Sequence, residues 1–240
     1  MLLCVGASLL AGCSDGDWNN PYPDRDTGTR AVYSAFGERP KHLDPARSYS
    51  SNEVEFTGQI YEPPLQYHFL KRPYELIPLT VESVPKAQYL DGAGRVLPDD
   101  APSAAIAQSV YEIRIRPGIL YQPHPAFAKD AAGRYRYHAM RAEDVAGKRQ
   151  IADFEYTGTR ELVAADYVYQ IKRLAHPALS SPIFGLMSEH IIGLKALGAA
   201  LDQAARAHPE QALDLDAFPL AGAEVIDAHT YRVRVKGKYP

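Results

Sequence analysis

Residues able to do chemistry are thinly spread along this chain. Its eight histidines are scattered, and the one cluster places His124, in Tyr121-Gln122-Pro123-His124, fourteen residues before His138, in Tyr135-Arg136-Tyr137-His138. A structural or catalytic metal takes three or four donors, and no Cys or third ligand stands near this pair, so turn or surface histidines are expected. Glu189-His190 reads as a solvated helix start. Asp91-Gly92-Ala93-Gly94-Arg95 has the glycines of a nucleotide loop, but no helical pattern follows, which makes it a hairpin or loop turn. Asp99-Asp100 is a loop charge pair. Gly-x-Ser-x-Gly, a phosphate loop ending in Lys-Ser or Lys-Thr, and His-Glu-x-x-His are all absent from the sequence. The expectation is a protein that is not an enzyme and uses no cofactor or metal.

The two cysteines, Cys4 and Cys13, both lie in an uncharged apolar run that ends at Ser14-Asp15. The run is too short for a bilayer core of about 30 Å, which needs about 20 apolar residues, and has the length of a signal-peptide apolar region. Leu10-Ala11-Gly12-Cys13 resembles the bacterial lipobox, where a signal peptidase cuts before the cysteine and leaves it diacylated. Residues 1–12 are then a lipoprotein signal peptide, Cys13 carries the lipid anchor, and polar residues 13–30 form a flexible tether. A cleaved secretory signal or a buried N-terminal helix is the plainer alternative, and no Lys or Arg precedes the apolar run.

The elements that would position any site are ordinary globular ones. The chain has 240 residues, of which 46% are hydrophobic, enough for a substantial core. With 26 Lys plus Arg against 29 Asp plus Glu, the net charge of −3 does not suit a phosphate backbone, and nucleic acid is excluded as a partner. Alternation predicts strands over 30–36, 110–116 and 230–236, the last two with apolar faces of Tyr111, Ile113, Ile115 and of Tyr231, Val233, Val235. Helices are predicted over 52–61, over 164–174, where Tyr167, Val168, Ile171 and Leu174 share a stripe, and over 189–207.

The order of segments adds a resemblance. Lys41-His42-Leu43-Asp44-Pro45 is followed, after fourteen residues, by Ile60-Tyr61-Glu62-Pro63-Pro64-Leu65. Then come Val81-Glu82-Ser83, Tyr111-Glu112-Ile113-Arg114-Ile115-Arg116-Pro117-Gly118 and Val163-Ala164-Ala165-Asp166-Tyr167-Val168-Tyr169-Gln170-Ile171-Lys172-Arg173. From about Tyr33 onward this resembles the family 5 extracellular solute-binding proteins, the peptide-binding components of ABC importers. The sequence departs from that pattern at Pro63-Pro64, where Gly-Leu is common, and in an insertion between Gly118 and Val163.

The resemblance implies an α/β, periplasmic-binding-protein-like (class II) two-lobed fold. Only the N-terminal part of the first lobe is expected in this chain, with residues 31–61 starting the main lobe and 62–240 forming mostly its accessory subdomain, truncated at the C-terminus. The apolar face of Tyr231, Val233 and Val235 is then expected to meet the remainder of that lobe. The implied function is capture of di- or oligopeptides in the periplasm or cell envelope and delivery to membrane permease subunits by hinge closure, as a monomer when full length. The implied ligand-binding residues are Tyr49, Ser50 and Ser51 on one loop, and Ile183 at a position that is Tyr in oligopeptide binders. A secreted lipid-anchored enzyme and a structural envelope lipoprotein are the alternatives.

Replacing the anchoring thiol tests the N-terminal reading. In a bacterial host, Cys13→Ala is expected to move the protein from the membrane to the soluble envelope fraction, as read by fractionation and immunoblotting.

Overall fold

The computed structural model describes residues 34–239. Cys13, the signal peptide and the tether lie outside the described residues, as do residues 30–33 of the first expected strand; Ser34–Phe36 carry no strand. The chain divides at Glu38–Arg39 into two units, of which the second, Arg39–Pro240, is compact and mixed α/β.

In the second unit, α1 (Ser51–Ile60) precedes a two-stranded antiparallel hairpin of β1 (Leu65–Tyr67) and β2 (Leu76–Pro78). A five-stranded antiparallel sheet follows, built from β3 (Ala87–Leu90), β4 (Val96–Leu97), β5 (Gln108–Arg114), β6 (Ala223–Val225) and β7 (Thr230–Lys236) in the order β4-β3-β5-β7-β6. Between β5 and β6 run α2 (Ala164–Arg173), α3 (Phe184–His190) and α4 (Leu194–Ala207).

The two alternating runs read from the sequence are the paired centre of the sheet. β5 and β7 match over seven residues, from Gln108 opposite Lys236 to Arg114 opposite Thr230. This register puts Tyr111 opposite Val233 and Ile113 opposite Tyr231 on the face that packs with Val168, Leu194, Leu197 and Leu201 of the helices. The opposite face carries charge: Arg232 bridges Glu224 at 2.9 Å and Glu112 at 3.3 Å, and Arg234 reaches Glu224 at 2.5 Å. The expectation that Tyr231, Val233 and Val235 would wait for another part of a lobe is therefore corrected. Tyr231 is 3% and Val235 7% exposed, and Val233 packs against the same cluster.

The helix expected over 189–207 is instead two. Its N-terminal part is broken at Ile191-Ile192-Gly193 because the sheet competes for the backbone: Ile191 bridges Val235, and the Ile192 N–H donates to the Arg234 carbonyl at 3.1 Å. Gly193 then turns the chain with φ +81, a conformation that L side chains rarely adopt. Glu189-His190 accordingly ends α3 rather than starting a helix. The loop at Asp91 is a hairpin turn as expected, with the Asp91 carboxylate accepting the Ala93 and Arg95 N–H groups at 2.9 Å between β3 and β4. Among the described residues no helix is long and apolar enough to cross a membrane.

The break also explains Gly222. A Cβ there would lie 2.2 Å from the Ile192 carbonyl oxygen and 2.7 Å from the Ile191 side chain. Gly222→Ala is expected to lower stability by about 1–3 kcal/mol, the usual cost of overpacking, as read by urea denaturation with circular dichroism.

Candidate functional site

The loop before α1 is held by two carboxylates. Ser50 is the N-cap of α1, and Glu53, three residues on, turns back toward the loop. One Glu53 oxygen accepts the N–H groups of Lys41 at 3.2 Å and His42 at 3.0 Å, and the other accepts Tyr49 N–H at 3.1 Å and Ser50 N–H at 3.4 Å. Glu53 is 4% exposed, so these four donors replace its water. The Ser50 hydroxyl and the N–H groups of His42, Tyr49 and Ser50 overcome the opposing effect of burial and hold the carboxyl at about 2, against an ordinary 4.5.

Asp44 is the second organiser. Its backbone carbonyl accepts Arg47 N–H at 2.9 Å and Ser48 N–H at 2.8 Å, and its side chain accepts Ala46 N–H at 3.0 Å. The guanidinium of Arg173, at the end of α2, meets both carboxylate oxygens at 2.9 and 2.6 Å. Arg173 holds the Asp44 carboxyl below the usual carboxylate range. A fork of this kind fixes orientation as well as distance.

The start of α2 is fastened in the same manner. Asp166 accepts Val163 N–H at 3.0 Å and receives both terminal nitrogens of Arg160. Next to it, the Tyr167 hydroxyl lies 2.6 Å from Thr80 Oγ1 and donates to the Glu62 carbonyl at 3.2 Å, while its ring stacks on Tyr231 with centroids 5.4 Å apart. Burial pushes the Tyr167 phenol up.

Of the four expected ligand residues, Tyr49, Ser50 and Ser51 sit together at the entry to α1. Tyr49 is 68% exposed although its backbone is tied to Glu53. Ile183 belongs to a different element, as the half-buried N-cap of α3. Its neighbours Ser181 and Phe184 border a cavity of about 330 Å³ that also meets His176, Lys195 and Asp202. The hydroxyls of Ser48, in the loop, and Ser181 are buried with no hydrogen-bond partner.

Glu53 and Arg173 were not singled out as site residues from the sequence. Ser50 followed three residues later by Glu53 was a legible capping signal, but the Asp44–Arg173 link spans 129 residues and has no local signature. His124 and His138 both serve Ala126: His124 Nδ1 accepts its N–H at 3.1 Å, and His138 Nε2 lies 2.9 Å from its carbonyl oxygen. Among the described residues no group of three or more His, Cys, Asp or Glu side chains could hold a metal ion.

No protein-family profile matches the chain, and no curated protein matches it. Solved structures do. The murein tripeptide binding protein MppA, in its unliganded open form, aligns at 16% identity and TM-score 0.44 over 82% of this chain and 25% of that one. The pheromone receptor PrgZ aligns at 16% identity and TM-score 0.45, over 83% of this chain and 26% of its own. Peptide-bound OppA of Listeria monocytogenes aligns at 16% identity and TM-score 0.41, over 82% and 25%. The chain spans about a quarter of the length of these structures.

Glu53 gives the loop a pH signature. Because its carboxyl is depressed in the folded state, the stabilisation it provides is complete above its ordinary value of 4.5 and is lost as pH falls toward about 2. Urea midpoints measured across this range are expected to fall more steeply for the parent chain than for Glu53→Gln, which should be less stable at neutral pH and flatter in acid.

Proposed function

We propose that the chain belongs to the extracytoplasmic solute-binding component of an ABC importer, that it captures peptides, and that hinge closure delivers them to the membrane permease. One observation carries the reading: the loop Lys41–Ser50 is clamped by Glu53 from within and by Arg173 from α2, yet its tyrosine, Tyr49, is left 68% exposed. A rigid backbone presenting a free aromatic ring suits ligand recognition, since little conformational entropy remains to be lost when the ring is covered.

The motifs behind the family resemblance support it as well. Asp44 of Leu43-Asp44-Pro45 is bound to Arg173 of the α2 motif, and the Glu62 carbonyl is bound to Tyr167 of the same motif. The proposal includes the finer parts of that reading: Cys13 as lipid anchor in the cell envelope, residues 31–61 as the start of a main lobe, 62–240 as mostly its accessory subdomain, and Ser50, Ser51 and Ile183 as further ligand contacts. MppA is a murein tripeptide binding protein, PrgZ is a pheromone receptor that binds peptide, and the OppA structure holds a peptide; a peptide is the solute proposed for this chain.

The test is calorimetric titration of a peptide library into the protein expressed from its complete reading frame. Tyr49→Ala is expected to weaken binding by about 1–3 kcal/mol, the loss of a stacking or hydrogen-bonding contact. Unchanged affinity would remove Tyr49 from the site.

A further inference from the structure

The β1–β2 hairpin ends in a tip with an unusual surface. Phe69 is 88% and Leu70 76% exposed, with Tyr74 at 69% and Tyr67 at 65% beside them. These side chains are presented by a built turn rather than a loose one. The ladder is extended by His68 N–H on the Glu75 carbonyl at 2.8 Å, and His68 Nδ1 accepts the N–H groups of Leu70 at 3.2 Å and Lys71 at 3.3 Å. The Arg72 guanidinium donates to the Lys71 carbonyl at 2.8 Å and lies 4.5 Å from the centre of the Tyr74 ring, which itself packs edge-on against Tyr67.

The chemistry of the tip is that of a membrane interface. Aromatic rings flanked by Lys and Arg favour the headgroup level, where a ring's apolar body and polar edge are both accommodated. The hairpin's one carboxylate, Glu75, is already paired with Lys71 at 2.8 Å, which leaves Arg72 as the uncompensated charge and makes the tip net positive. A projecting turn can insert two side chains between headgroups, whereas a flat or grooved patch would suit a folded partner better. We infer that the tip, Phe69 and Leu70 foremost, docks on an anionic lipid surface and so orients the body against the membrane.

The inference deepens the anchoring reading and rests on it for its setting. The stretch between Cys13 and Ser34 can span at most about 75 Å at 3.3–3.6 Å per residue. A domain of this size has a radius of gyration of only about 17 Å, so a lipid at Cys13 keeps the hairpin within reach of the same surface.

Vesicle flotation of residues 14–240, which lack both the signal peptide and the anchoring thiol, reads the tip without the lipid. With vesicles of phosphatidylethanolamine and phosphatidylglycerol, the chain is expected to float with the lipid, and several-fold less with phosphatidylcholine alone. Phe69→Ser combined with Leu70→Ser should reduce partitioning at least tenfold with an unchanged circular dichroism spectrum, and Arg72→Glu should reduce it only on the anionic vesicles. Absence of flotation, equal flotation of parent and double variant, or a Phe69-dependent dimer in sedimentation velocity would each overturn the inference. Flotation of this form alongside an unacylated Cys13 in the cell would retain the tip and reject the anchor.

Discussion

The fork of Arg173 on Asp44 ties the loop in front of α1 to the far end of α2, across 129 residues of chain. Both side chains are little more than a quarter exposed, so the pair is neither a loose surface contact nor a fully desolvated one. Its value is geometric. Asp44 already closes the turn through Ala46, Arg47 and Ser48, and the guanidinium adds a fixed direction to that turn. Glu53 then gathers the N–H groups of Lys41 and His42 on one side of that turn and of Tyr49 and Ser50 on the other, so that both flanks of the loop are held by one carboxylate.

This arrangement depends in turn on where α2 sits. Tyr167 stacks on Tyr231 in β7 and reaches Thr80 and Glu62 with its hydroxyl, so the helix is registered both to the sheet and to the segment after α1. Asp166 and Arg160 fix the helix start. The sheet supplies the rigid element, because β5 and β7 share a seven-residue register and bury the face of Tyr231 and Val235 under α2, α3 and α4. Sheet and helices are joined through the backbone as well: the helix break at Gly193 exists because Arg234 and Val235 take the backbone of Ile191 and Ile192.

Much of the fold was legible because its signals are local. The alternation of Tyr111, Ile113, Ile115 and of Tyr231, Val233, Val235 marked β5 and β7, and the stripe from Tyr167 to Leu174 marked α2. The turn at Asp91 was readable from its glycines. What escaped was decided by tertiary competition. An Ala- and Leu-rich run looks like one helix until a strand claims its backbone, and an apolar strand face looks unpartnered until the helices over it are known. For the candidate site, Tyr49, Ser50 and Ser51 were reached through the resemblance, and Ser50 with Glu53 had a capping spacing, but nothing in sequence joined Asp44 to Arg173.

In the proposed function, the clamp on the Asp44 loop is what readies Tyr49 for a ligand. A double-mutant cycle on Asp44→Ala and Arg173→Ala, with peptide affinity measured by calorimetry and folding checked by denaturation, addresses that most directly. The predicted result is that each single change weakens peptide binding several-fold and the double change adds little more, because both remove one interaction. Peptide affinity that survives both substitutions, or losses that simply add, would contradict the account.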